Sequence, residues 1–503
     1  MSLRRNISAN FAGQTVLVLL SLAVTHLVFR NLGADILGII TFAGIVTSVL
    51  IVLADMGLST TITREYAATC QRDQAYASDL VGSVLLVVWI AYAASCMAVA
   101  ACSSFLVHHW LQLENVVLDD VVMPFWVLTA SLLLVIPRSI YTAVIAGKER
   151  IDLCSFANVA ASGVQQIGMI FVAGLGGTLD DVATWYVVSS VVGLGIVMAI
   201  TASLCGLKIL RLRWRWYALE RNLRFGAELF AGAAVGHFIW QLDKWLVSKF
   251  LSASTVGSYG VALGLVSKGA MVPGALAAAA FPAFSGSIAN RSQADRTAQY
   301  HKLQDLCGYI YIPVSAAVSM LGIVVMRFVL NEEIVRSTWL ALVFLAIGQL
   351  FLGLQYIPYF LSLAMKKPEI SLRANLWTAG LSTPIAIILT VQYGVTGAAF
   401  STIVASLIVM VIFIPAFSRE CLQSSSFKWF ASVGALSVLG FLSYGLPWVL
   451  LWGIGLGLGT GGLIIAYLYG TVMFLLCGWH VIGTELKDLV RAQVRLLVGG
   501  PSA

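Results

Sequence analysis

The sequence predicts an all-α polytopic membrane protein of fourteen transmembrane helices: two six-helix lobes related by an axis along the membrane normal, plus two C-terminal helices. Three observations lead there. The 503 residues are 59% hydrophobic and only 11% charged, with a mean hydropathy of +0.92, against roughly 25% charged in a soluble domain. Apolar runs of spanning length, about 20 residues each, follow one another with almost no polar sequence between them. The first half of the chain also repeats in the second.

In chain order, the expected spans lie near residues 9–29, 36–56, 80–102, 121–143, 153–175, 183–204, 225–248, 257–281, 306–328, 338–361, 370–392, 396–417, 428–448 and 453–477. The first is a span rather than a cleaved signal, because Arg4, Arg5 and Arg30 flank it and no small-x-small exit site follows. Basic residues should collect on the cytoplasmic side of every second loop. Of the 30 Lys and Arg, all but Arg30, Lys244, Lys249, Lys268, Arg327 and Arg336 fall on segments this assignment makes cytoplasmic. Those segments include Arg64 with Arg72, Arg138 with Lys148 and Arg150, and the tail residues Lys487, Arg491 and Arg495. The opposite loops are acidic, carrying Glu114, Asp119, Asp120, Asp180, Asp181, Glu332 and Glu333. Both termini are therefore expected in the cytoplasm.

The formal net charge of +7 is accounted for by this orientation, so nucleic acid is not an expected partner. The longest basic connector runs from Lys208 to Arg224 and is interleaved with Trp214, Trp216 and Tyr217, a pattern suited to anchoring on anionic membrane lipid. The eight cysteines, at 70, 96, 102, 154, 205, 307, 421 and 477, fall in spans or on the cytoplasmic side and imply no outer disulfide framework. His108 and His109 stand near Asp119 and Asp120 but lack ligand spacing, so no metal site is expected. No GxxxxGK[ST] loop occurs, so the chain carries no nucleotide-driven engine of its own, and no catalytic constellation marks it as an enzyme.

Shifting the sequence on itself by 219 residues pairs Phe11-Ala12-Gly13 with Phe230-Ala231-Gly232, Arg30 with Lys249, Gly38 with Gly257, Ala43 with Ala262 and Ser48 with Ser267. A shift of 217 pairs Arg150, Asp152, Ala157, Asn158 and Gly163 with Lys367, Glu369, Ala374, Asn375 and Gly380. Six helices separate the copies, so both keep one orientation, which is a transporter's arrangement. The expected organisation is an N-lobe at 1–206, a basic amphipathic linker at 207–224, a C-lobe at 225–420, and helices thirteen and fourteen with a cytoplasmic tail at 421–503. Gly453 through Gly462 supply small-xxx-small spacings in the last of these.

Candidate site residues are polar groups inside spans. Lys268 lies about 16 Å into the eighth helix, where a cation faces a polar cavity or a partner; it either binds substrate or pairs structurally with Asp243. The repeat places Val49 opposite Lys268, and Val24 and Thr25 opposite Asp243 and Lys244, so the shared fold does not require these charges. Asp243 and Lys244 lie close enough to the outer surface either to bind or to anchor by snorkelling. Arg30 and Lys249 form a symmetric pair at outer helix ends, open to the same two roles. Gln14, Ser21 and Thr25, with Asn10, fall on one face of helix one; Thr41, Ser48 and Asp55 fall on one face of helix two. Such stripes suit hydrogen bonding to a saccharide or packing between helices. Glu228 reads as a solvated carboxylate at a helix start.

The stretches LVFRNLGADILGIITFA (27–43), DMGLSTTITREYA (55–67), GKERIDLCSFANV (147–159), WQLDKWLVSKFLSASTVGSYGVALGL (240–265), FPAFS (281–285) and IPYFLSLAMKKPEIS (357–371) resemble bacterial polysaccharide and O-antigen flippases of the multidrug/oligosaccharidyl-lipid/polysaccharide exporter superfamily. The resemblance implies a 6+6 fold with two extra helices in the bacterial inner membrane. It also implies flipping of an undecaprenyl-diphosphate-linked oligosaccharide, with membrane lipid and, in the same pathway, the polysaccharide polymerase and chain-length machinery as partners. No cofactor is implied beyond a coupling ion, Na+ or H+. In related lipid II flippases, cations on helices one, two and eight line the cavity; Arg30 and Lys268 occupy comparable places, and for helix two only Arg64, beyond its cytoplasmic end, is available. The competing expectations are a drug/cation antiporter of the same superfamily, which would concentrate carboxylates at mid-membrane, and a membrane polymerase or glycosyltransferase, which would need a sizeable outer loop.

Overall fold

The computed structural model describes residues 3–70, 72–114, 116–290, 292–365, 367–453 and 459–481, with side chains undescribed at 3–12, 221–233, 279, 281–290 and 294. Arg4, Arg5, Asn10, Arg221, Arg224, Glu228, Arg291, Gly455, Gly457, Lys487, Arg491, Arg495 and the FPAFS side chains therefore lie outside what is described. Hydrocarbon offers backbone groups no hydrogen bonds, so spanning segments must satisfy them internally. Among the described residues every element is helical, save one isolated bridge between Gln112 and Ser252. The chain packs as two compact units, Met1–Gly260 and Val261–Ala503.

The first unit holds α1 (Leu3–Leu27), continued by a π-helical turn at Val28–Leu32, then α2 (Ala34–Asp55), α3 (Leu58–Thr69) and α4 (Gln74–His109). It continues with α5 (Leu118–Leu133), α6 (Val135–Gly147), α7 (Ile151–Gly174), α8 (Leu179–Cys205), α9 (Trp216–Phe250) and the start of α10 (Ala253–Asn290). Helix starts are fixed by side-chain caps: Asp73 accepts from the Tyr76 N–H at 2.9 Å, and Thr178 with Asp181 forms a capping box. An aromatic cluster holds α2, α4, α5 and α9 together at one end. Phe42 stacks on Phe125 at 5.5 Å, and Trp245 meets the edges of Phe42 at 6.2 Å and Trp110 at 5.6 Å.

The second unit contains the rest of α10, then α11 (Gln293–Val329), α12 (Glu332–Gly353), α13 (Tyr356–Ala364), α14 (Glu369–Phe417), α15 (Phe427–Gly440), α16 (Leu446–Gly453) and α17 (Thr460–Val481). Tyr300, Cys307, Ile357, Phe413, Phe417 and Trp429 form its buried core.

Twelve segments among the described residues are long and apolar enough to cross a membrane. One of them, Glu369–Leu422, has 54 residues, about 80 Å of helix at 1.5 Å per residue, far more than the roughly 30 Å of a hydrocarbon core. It is two crossings joined at Gly394, whose φ of 59° and ψ of −137° are not helical, and a Cβ on Gly397 would stand 1.9 Å from the Leu389 carbonyl oxygen where the chain doubles back. The seventh expected span, 225–248, falls within the helix α9, Trp216–Phe250.

Two expected single helices are each broken in two. The fourth breaks at Leu134 between α5 and α6, and the tenth at Leu354–Gln355 between α12 and α13. Pro137 and Pro358 each stand third in the following half-helix, where proline lacks an N–H and crowds the preceding turn. The freed backbone groups find partners: Gln304 Nε2 donates to Leu354 O at 3.0 Å, and Gln355 Nε2 donates to Phe351 O at 3.0 Å and Ser406 O at 3.2 Å.

Within the first unit, α2 crosses the start of α10 at residues that the repeat makes equivalent. A Cβ on Gly38 would meet Ala253 O at 2.0 Å; one on Gly257 would meet Gly38 N at 3.0 Å; one on Gly260 would meet Thr41 Cγ2 at 2.6 Å. Gly38→Val should therefore cost at least about 3 kcal/mol, because the obstructing atom is backbone and cannot swing aside. A thermal melt in detergent within 1 °C or so of native would count against this.

Candidate functional site

In the first unit, polar side chains of α2 and α9 converge. His237, Gln241 and Lys244 stand at i, i+4 and i+7 on α9 and so share a face. The Gln241 amide donates to Ser48 Oγ of α2, and its nitrogen lies 3.3 Å from His237 Nε2. Ser48 spends its own proton on Ile45 O at 2.7 Å, so its oxygen accepts from Gln241. Gln241 is buried, and its Oε1 has no hydrogen-bond partner among the described residues. Neither His237 nor Gln241 stood out in the sequence, although their helical spacing with Lys244 was available there.

Asp243 is buried at 5% exposure. Tyr259 donates its hydroxyl to Asp243 Oδ2 at 2.6 Å, and Lys244 Nζ lies 3.6 Å from Oδ1 while also reaching Trp240 O. The carboxylate is thus matched by residues of α9 and of the first turns of α10. Lys249 donates to His109 O at 2.8 Å and sits 4.9 Å over the Trp110 ring, tying α9 to the C-terminal end of α4. Its repeat partner Arg30 is exposed in the π-helical turn.

The expected stripes occupy their helices differently. Gln14 is half-buried on α1, while Ser21 Oγ donates to Val18 O and Thr25 Oγ1 to Ser21 O, each at 2.7 Å. Those hydroxyls keep only acceptor capacity for a ligand. Asp55, at the C-terminal end of α2, accepts from Ser59 Oγ at 2.9 Å.

The linker is strapped onto α4 rather than free. Asp79 takes Arg213 Nη1 at 3.0 Å and the Tyr217 hydroxyl at 2.8 Å, with Arg215 Nε at 3.8 Å. The Arg213 N–H donates to Gly82 O and the Arg215 N–H to Ser83 Oγ. Hydrogen bonding to the Asp79 carboxylate pushes the Tyr217 hydroxyl above its ordinary range. Trp214 and Trp216 stack at 6.2 Å and remain exposed.

One basic residue is not where sequence sorting placed it. Arg138 lies inside α6 rather than on a cytoplasmic segment, within the expected fourth span 121–143 and nine residues before the helix ends at Gly147. Its Nη2 donates to Asn158 Oδ1 of α7 at 2.7 Å.

In the second unit, Lys268 is half-buried close to the middle of the crossing Ala253–Ala278. Its Nζ donates to Gly264 O of its own helix at 3.4 Å. An apolar cavity of about 650 Å³ lies along α15–α17, lined among others by Leu442, Leu446, Leu450, Ile465, Tyr469 and Met473.

Broken helices and half-buried cations within apolar segments of crossing length define a helical membrane protein with polar groups held inside its spans. Residues 27–343 match the family described as polysaccharide biosynthesis protein, and the chain belongs to that family. It is 22% identical over 407 residues to a candidate O-antigen transporter of Shigella flexneri, covering 80% of this chain and 94% of that one. Among solved structures it resembles the lipid II flippase MurJ in an inward closed conformation, with a TM-score of 0.70 at 13% identity over 96% of this chain and 99% of that one. It also resembles an inward-facing multidrug-resistance transporter of the MATE family and MOP superfamily, with a TM-score of 0.68 at 16% identity over 81% and 95%.

Tyr259→Phe would leave the buried Asp243 carboxylate without its shortest hydrogen bond, at a cost of about 1–3 kcal/mol. Melting temperature measured beside native protein checks this; an unchanged value would show that Lys244 alone suffices.

Proposed function

We propose that the protein is a flippase that moves a polyprenyl-diphosphate-linked oligosaccharide from the cytoplasmic to the outer leaflet by alternating access, for cell-surface polysaccharide synthesis. The observation that carries this reading is Lys268, an ammonium near the middle of a crossing whose bond goes to a neutral backbone carbonyl. A cation held so deep favours an anionic cargo and disfavours the cationic drugs of the alternative antiporter. Lysine suits a moving phosphate because its point charge needs no fixed geometry. The likeness to the lipid II flippase covers nearly the whole chain, and that to the multidrug transporter about four-fifths, which fits two helices beyond a 6+6 carrier. The apolar cavity along α15–α17 offers room for a hydrocarbon chain.

In this reading the lobes are 1–206 and 225–420, both termini face the cytoplasm in the inner membrane, and Gln14, Ser21, Thr25, Ser48, Asp55, Asp243, Lys244 and Arg30 serve the saccharide-diphosphate path with Lys268. The polymerase and chain-length machinery take the product. Outward movement of a diphosphate follows the membrane potential, at about 2.3 kcal/mol per charge per 100 mV. Two net charges then release about 4–5 kcal/mol, so transport is potential- or ion-coupled.

The test is flipping of a fluorescent polyprenyl-diphosphate disaccharide in vesicles holding the purified protein. Lys268→Ala and Lys268→Glu are expected to lower the rate at least tenfold with folded yield unchanged, and Lys268→Arg to retain part of it. Normal transport by Lys268→Ala overturns its role. Collapsing every ion and voltage gradient should slow net outward movement; an unchanged rate would overturn the coupling.

A further inference from the structure

Arg138 is a guanidinium inside a membrane crossing whose hydrogen-bond partner is neutral. It stands nine residues before the end of α6 at Gly147, about 14 Å along the helix at 1.5 Å per residue. Its Nη2 is held by Asn158 Oδ1 at 2.7 Å, and no carboxylate pairs with it among the described residues. Arginine does not shed its proton, so burial cannot neutralise it as it can a lysine. Asn158 is exposed at the eighth residue of α7. An exposed amide beside an unneutralised cation at this depth faces a polar compartment rather than hydrocarbon.

Two further features make the place a built one. A Cβ on Gly193 of α8 would crowd the Ala161 Cβ at 3.0 Å and only touch Arg138 Nη1 at 3.4 Å, so the bare backbone of α8 packs beside the guanidinium. The internal repeat separates fold from function: after the helix breaks, Ile136-Pro137-Arg138 corresponds to Ile357-Pro358-Tyr359, and Asn158 to Asn375. The second copy keeps the proline and the asparagine without the cation, so the broken-helix architecture does not demand an arginine.

We propose that Arg138 is an anion-binding residue of the first unit and takes a phosphate of the diphosphate-linked cargo, with Asn158 orienting the guanidinium fork. This rests on the flippase reading. A guanidinium with unused N–H groups accepts phosphate oxygens in parallel pairs, a chemistry shared by the cargo's diphosphate and by anionic lipid headgroups. The inference commits to the diphosphate.

The test is binding of radiolabelled farnesyl diphosphate to the full-length protein in detergent, with farnesol and phosphatidylglycerol as competitors. Arg138→Gln should weaken binding at least tenfold, and Arg138→Lys less. The decisive variant is Asn158→Asp, nearly isosteric, whose new carboxylate would neutralise the guanidinium internally. It should lose binding at least tenfold while the melting temperature holds or rises, so the result stands even where Arg138→Gln does not fold. Binding by Asn158→Asp within twofold of native would overturn the proposal. Displacement of farnesyl diphosphate by phosphatidylglycerol at equal concentration would also overturn it and assign a lipid headgroup site instead. Failure of the native protein to bind farnesyl diphosphate would count against the flippase reading itself, whereas native binding with unchanged variants would remove only Arg138.

Discussion

The absence of water from the bilayer interior is the constraint on which the rest of this structure depends. Each buried N–H, C=O or charge must find its partner within the protein or in a cavity. Helices answer this for the backbone, so interruptions are informative wherever they occur at membrane depth. At Leu354 the freed carbonyl is taken by Gln304, and the neighbouring Gln355 amide ties α12 to Ser406 of α14. A kink repaired by two buried glutamines is a maintained feature. Its recurrence after Leu134, with a proline at the same place in the second half-helix, shows that the repeat preserves a backbone device and not only a hydropathy pattern.

Close helix approach follows from the same constraint. Helices in lipid gain little by hiding apolar surface from one another and instead rely on packing, which small residues allow. Gly38, Gly257 and Gly260 bring α2 and the start of α10 into backbone contact within the first unit. Gly38 with Gly257, and Thr41 with Gly260, are pairs that the repeat equates, so the close approach falls at equivalent positions of the two sequences.

Much of this was legible in the sequence because span length, charge sorting and an offset repeat are all one-dimensional signals. The succession of crossings, the mid-crossing lysine and the paired glycines follow from them. The helix breaks were not legible in the same way: apolar runs containing Pro137 and Pro358 still have spanning length, and length alone does not register a lost hydrogen bond. Arg138 shows the limit of charge sorting: a basic residue inside the expected span 121–143 is grouped with Lys148 and Arg150 by charge although its helix position separates it from them. His237 and Gln241 have no polar counterpart that the repeat would mark; only their i, i+4 spacing around α9 brings them together, with Gln241 reaching Ser48. Tyr259, sixteen residues on from Asp243 and uncharged, is likewise invisible to a search for opposite charges.

The charges within the crossings divide by how they are satisfied. Asp243 has a phenol and an ammonium, and Lys249 has a carbonyl and an indole face, so both are matched where they stand. Among the described residues, Lys268 and Arg138 have a carbonyl and an amide oxygen, which are dipoles and not countercharges. A matched charge fixes a helix to its neighbour and can meet a ligand only through hydrogen-bonding capacity its partners leave open. On the proposed reading, an unmatched one raises the free energy of the empty protein and lowers it when an anion arrives, so its cost is recovered during transport. The two differ in one respect that matters to a carrier: desolvation can deprotonate an ammonium but not a guanidinium. A lysine can therefore release an anion by losing its own charge, whereas an arginine must let go by moving away.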